Sequence, residues 1–170
     1  MIRLLALLIF ALPFAASAQG VTPAEAGLAL YKADNVDCEL CHGWLGLGRY
    51  HDTGYSDVTA GGPALGTSTK TREQMIEIIS CGRMVEGRIA VMPMYRNDVW
   101  TPEHKCYGKV RAEMPFEEFP LPGMKQMTPA QIEQVVTFIQ EVYVGKAMTM
   151  EWCRKYFSVN PKACDALMTQ

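Results

Sequence analysis

Five consecutive residues, Cys38-Glu39-Leu40-Cys41-His42, restrict what this chain can be more than any other segment does. Two thiols three positions apart lie on one face of a helical turn, close enough to act on a single object, and an imidazole follows directly. Three ordinary uses of such a pair fit poorly. A thioredoxin-like redox pair sits in a βαβ pattern, and the flanking sequence has none. A zinc knuckle needs a second ligand pair at metal spacing, and none follows. A plain Cys38–Cys41 disulfide leaves His42 without a role.

The cellular compartment bears on every cysteine. Arg3 is followed by an apolar run from Leu4 to Ala16, broken only by Pro13, and then by Ala16-Ser17-Ala18 ahead of Gln19. A basic start, an apolar centre and a small-residue cleavage site make residues 1–18 a secretory signal peptide. The run falls short of the roughly 20 residues that span a bilayer. No cysteine follows the cleavage site, so no lipid anchor is expected. The chain is expected to be exported into an oxidising compartment. There an even count of cysteines (Cys38, Cys41, Cys81, Cys106, Cys153 and Cys164) suggests disulfides. Cleavage removes Arg3 and takes the formal net charge from -2 to -3, too little for a nucleic-acid binder or a polybasic membrane-surface protein. With 49% hydrophobic and 20% charged residues, the chain is globular in composition, not disordered. Most of the 11 methionines are expected to fill gaps in the core.

The periodicities are helical. Pro23 to Ala33 reads as a short helix with Thr22 as N-cap, Pro23 at its first position and Glu25 as a first-turn acid. Residues 43–70 read as loop. Thr71 to Ser80 carries Met75, Ile76 and Ile79 on one stripe. Residues 81–127 are irregular, with five prolines. Thr128 to Val144 gives the strongest signal: Thr128 caps, Pro129 opens, Ile132, Val135, Val136, Ile139 and Val142 share a face, and Gly145 stops the helix. Residues 146–170 read as a small helical tail. No strand pattern or repeat stands out, and the expected fold class is all-α.

Taken with export and a helical context, C-x-x-C-H reads as the attachment pattern of c-type haem. Cys38 and Cys41 would each form a thioether with one vinyl group of a single haem. His42 would ligate the iron through Nε2, with Nδ1–H left for an acceptor nearby.

From about Pro23 to Val144 the chain then resembles the class I cytochromes c. Gly27 and Tyr31 match the family's Gly-x-x-x-aromatic pair, whose glycine lets the first and last helices cross closely. Gly62-Pro63-Ala64-Leu65 looks like the family's Gly-Pro-x-Leu loop, which implies that the Pro63 carbonyl accepts the His42 Nδ1–H bond. The helix at 71–80 matches the middle helix, and Thr128-Pro129 opening a helix with Phe138 resembles the last. The resemblance implies a class I cytochrome c domain over residues 19–145, with a long insertion at about 95–127 and a C-terminal extension over 146–170.

The family's sixth ligand is a methionine followed directly by proline after the middle helix, which assigns Met92 in Ala90-Val91-Met92-Pro93-Met94-Tyr95. Met94 is the fallback. His51 or His104 in a bis-His site, or an open site, are the alternatives. Met84, Met114, Met124, Met127, Met148, Met150 and Met168 carry no motif and are read as packing or surface residues. Arg83, Arg88 and Arg96 are candidates for the haem propionates because a guanidinium matches a carboxylate fork. Trp100 and Tyr107 either touch a propionate or pack on the haem.

The chain departs from the family pattern in the 35 residues from Pro93 to Met127. A Cys81–Cys106 bridge would close the loop that carries Met92, and Cys153–Cys164 would staple the tail. Four cysteines allow three pairings, and sequence does not decide among them; the local ones are expected, with a tail tied to the insertion as the alternative. Insertions and tails of this kind occur in cytochromes dedicated to one partner enzyme. The resemblance therefore implies a soluble electron carrier, not an enzyme in itself. It would take electrons from a periplasmic dehydrogenase, such as a quinoprotein alcohol dehydrogenase, and pass them to another cytochrome or an oxidase. The alternatives are a haem subunit fixed in an oxidoreductase complex and a ligand-binding or catalytic haem protein with an open site.

Overall fold

The structure, a computed structural model, describes residues 20–48, 61–83, 92–115 and 118–167. The signal segment, His51, Met84, Arg88 and Met168 lie outside them. Six α-helices are present among the described residues: α1 (Pro23–Tyr31), α2 (Cys38–His42), α3 (Arg72–Cys81), α4 (Pro129–Val142), α5 (Met150–Tyr156) and α6 (Ala163–Leu167). Among the same residues there are no strands, only isolated bridges. The chain is all-α, and no described helix is long and apolar enough to cross a membrane.

The three main helices start where local chemistry satisfies their first backbone N–H groups. Thr22 Oγ1 accepts from the Glu25 N–H at 3.2 Å, and the Glu25 carboxylate takes the Thr22 N–H at 2.9 Å. Thr71 with Gln74, and Thr128 with Gln131, repeat this reciprocal cap. Thr71 is therefore a cap and not a helical residue, and α3 runs one residue further than expected, to Cys81. The first helix ends at Tyr31 and the last at Val142, each two residues short of the sequence reading.

α1 packs across α4. At the crossing, a Cβ added to Gly27 would fall 2.0 Å from the Gln134 carbonyl oxygen and 2.8 Å from Phe138 Cβ, so only glycine permits this approach. Leu28 and Tyr31 of α1, Met75 and Ile79 of α3, and the apolar face of α4 share one core. Each such side chain contributes about 1.5–3 kcal/mol on burial. The stretch after Gly145 belongs to the same core: Met148, Cys153, Tyr156 and Cys164 are buried in it. The Trp152 ring meets Phe138 at 5.8 Å, and Lys155 Nζ pairs with Glu25 at 3.1 Å. Cys153 is bonded to Cys164.

A second, smaller cluster is built on Cys81, Trp100 and Cys106, with Met94, Val99, Met114 and Phe119 against it. Cys81 is bonded to Cys106. The Trp100 indole N–H donates to Cys81 O at 3.0 Å and the Tyr107 hydroxyl to Gly82 O at 2.7 Å. The insertion is thus fastened to the C-terminus of α3 by a covalent bond and by two side-chain hydrogen bonds. Trp100 and Tyr107 use their polar atoms there. Replacing Cys81 and Cys106 together with serine is expected to lower stability by about 2–4 kcal/mol, mainly by freeing the unfolded chain. The denaturant midpoint measures this, and a loss below ~0.5 kcal/mol would show the bridge to be idle.

Candidate functional site

The Cys38–His42 turn stands between two fixed points. Before it, Val36 and Asp37 both donate their N–H groups to Ala33 O, at 2.8 and 2.7 Å, and Asp37 takes a left-handed conformation with φ 55°. After it, the Gly48 N–H donates to His42 O at 2.9 Å. Cys38 and Cys41 are in no disulfide, with each other or with another cysteine. Burial, helped by the neighbouring Asp37 charge, pushes the Cys38 thiol up to about 12, so at neutral pH it stays protonated in the folded chain.

His42 is buried and its Nδ1–H donates to Pro63 O at 2.9 Å. A carbonyl only accepts, so this bond puts the proton on Nδ1 and leaves the lone pair on Nε2. Burial lowers the imidazole pKa and outweighs the opposing effect of the Pro63 bond, which favours the neutral, ligating form. The loop that carries Pro63 is itself tied to the turn: the Gly62 N–H donates to Cys41 O at 2.7 Å, and the Leu65 N–H to Gly46 O at 2.6 Å. A Cβ at position 62 would lie 2.7 Å from His42 Nδ1 and Cε1. Glycine there lets the backbone reach the ring.

Met92 and Met94 are held in one extended segment but belong to different places. Met92 and Arg83 exchange backbone hydrogen bonds at 2.9 and 3.0 Å, which returns the chain to the end of α3. Met92 packs against the main core, to which Cys38 and Leu65 also contribute, whereas Met94 packs against the disulfide cluster. Of the arginines, Arg96 is committed to Asp98, with Nε donating to Oδ1 at 2.8 Å and a second contact from Nη2 to Oδ2. Arg83 is exposed. His104 is exposed on the insertion, with Nδ1 3.1 Å from Asp98 O.

Three phenols that the sequence reading left without a role at the site grip the turn. Tyr31 Oη donates to Gly43 O at 2.7 Å, Tyr143 Oη to Trp44 O at 2.7 Å, and Tyr95 Oη to Val36 O at 2.6 Å. Their partners are 12, 99 and 59 residues away along the chain. Such separations leave no spacing signal. Trp44 is further covered by the tail, its ring 5.1 Å from Phe157 and 6.1 Å from Tyr156. Among the described residues no group of three or more His, Cys, Asp and Glu side chains gathers to make an all-protein metal cage.

Comparison with protein families, with characterised proteins and with solved structures returned no match to this chain.

Proposed function

We propose that this chain is an exported c-type cytochrome of the class I fold that carries single electrons on one covalent haem c. Cys38 and Cys41 supply the thioethers, His42 and Met92 the axial ligands. The observation that carries the reading is the His42 Nδ1–H bond to Pro63 O. It leaves Nε2 as the ligating nitrogen, beside two cysteines on the same turn that are in no disulfide. The close crossing of α1 and α4 at Gly27, the order of the helices and the placement of Met92 against the main core support the same fold and ligand set. The donors fit the group: two thiols at vinyl spacing, a neutral imidazole and a thioether.

When bound, haem supplies the one-electron couple, and a His/Met pair sets it at high potential without an open coordination site. The protein's own part is mechanical and electrostatic. Pro63 fixes the tautomer and plane of His42. The Arg83–Met92 bridge and the Cys81–Cys106 bond hold the methionine segment. The apolar core around Cys38 and Met92 disfavours the extra charge of the ferric state and helps raise the potential. We assign the chain to the periplasm through cleavage of residues 1–18. Its donor would be a periplasmic dehydrogenase, its acceptor another cytochrome or an oxidase.

The test is covalent loading. The mature chain, co-expressed with a haem-maturation system, is expected to keep one haem through a denaturing gel and to gain its mass. Absence of haem mass and of Soret absorption from a preparation in which a control cytochrome is loaded would end the proposal.

A further inference from the structure

We infer that Tyr95 is a positioning residue that latches the methionine segment to the haem-attachment turn and so holds the sixth iron ligand in place; this rests on the haem reading above. Tyr95 lies three residues after Met92, and its backbone is fixed on both sides. Its N–H donates to Ile79 O of α3 at 3.1 Å, and its carbonyl accepts from the Met127 N–H at 2.7 Å. The ring is 5% exposed. It lies against Gly123, where an added Cβ would fall 2.8 Å from two ring carbons. The hydroxyl reaches across to Val36 O at 2.6 Å, two residues before Cys38.

That bond adds a direct tie between two parts of the chain that also pack against one core. The Cys38–His42 turn carries one side of the site and the Met92 segment the other. Tyr31 and Tyr143 also donate to the turn, but from α1 and from the residue that caps α4, neither of which carries a proposed ligand. Tyr95 alone of the three sits on the methionine segment. Burial raises its pKa well above the ordinary phenol value, so it remains a neutral donor across the working pH range. Loss of the hydroxyl leaves the buried Val36 carbonyl without this donor and loosens the Met92 segment against the turn.

The pair Tyr95→Phe and Tyr31→Phe separates a latch from general loosening, because each removes one buried phenol-to-carbonyl bond at the same turn. The probe is imidazole added to the ferric, haem-loaded full chain, with its uptake by the iron followed optically. Tyr95→Phe is expected to capture imidazole about tenfold faster than wild type, with a lowered midpoint potential, while Tyr31→Phe, which leaves the methionine segment tied, gains clearly less. Gly123→Ala, which crowds the same ring without removing the hydroxyl, is expected to change the rate in the same direction and provides the readout if Tyr95→Phe does not accumulate. Equal acceleration in Tyr95→Phe and Tyr31→Phe, or none in the Tyr95 and Gly123 variants, overturns the latch. A wild-type chain with no covalent haem would instead overturn the site assignment on which the latch depends.

Discussion

Met92→Ala is expected to abolish the sulfur-to-iron absorption band at the red end of the oxidised spectrum and to lower the midpoint potential by more than ~60 mV, the tenfold step of a one-electron couple. A thioether is a soft donor that favours ferrous iron. Water or hydroxide in its place favours the ferric state, so the potential must fall. The same variant should take up exogenous imidazole readily, because alanine offers the iron no donor. Met94→Ala is the control. Met94 stands against Cys81, Trp100 and Cys106, away from the core that Cys38 and Met92 share. Its loss should cost about 1–2 kcal/mol of stability through lost packing and leave band and potential unchanged. If the two variants exchange these phenotypes, the ligand is Met94. If neither moves the spectrum, the sixth ligand is not in this segment.

Gly27→Ala distinguishes two opposed forces by sign. Helix propensity alone predicts a gain of about 1 kcal/mol, since alanine loses less backbone entropy than glycine. Packing predicts the reverse. The new methyl would stand 2.0 Å from the Gln134 carbonyl oxygen and 2.6 Å from its carbon. These are backbone atoms of α4 that cannot rotate away, so the helices must separate and the shared core of Leu28, Tyr31, Ile132, Val135 and Phe138 must open. Overpacking typically costs 1–3 kcal/mol, and contact with backbone belongs at or beyond the upper end, about 3 kcal/mol. Against a total stability of ~5–15 kcal/mol this is a large fraction. Urea unfolding of the haem-loaded chain measures it. A midpoint equal to or above wild type would mean that the crossing is looser than described here.

How far each feature was legible in the sequence follows from the range of the interaction behind it. The starts of α1 and α4 were legible because Thr22-Pro23 and Thr128-Pro129 each put a capping side chain beside a proline suited to the first position, whereas Thr71 reads as helical and only the structure shows it capping α3. The cysteine–histidine turn was legible because its chemistry is confined to five neighbours. Pro63 was legible only through a family pattern, and the structure brings its carbonyl to His42 Nδ1 across 21 residues. The phenols of Tyr31, Tyr95 and Tyr143 were not legible as clamps, since a tyrosine's sequence environment says that it is buried but not which carbonyl its hydroxyl will find.

By itself, then, the sequence determined the main helices, two of their three caps and the Cys38–His42 pattern on which the haem proposal rests, all set by short-range chemistry. Only the tertiary structure decided which methionine faces the main core, which cysteines pair, that the tail completes the core over Trp44, and that Tyr95 ties residue 95 to residue 36. Each of these depends on segments distant along the chain meeting in space, and such contacts are chosen by the packing of the whole molecule.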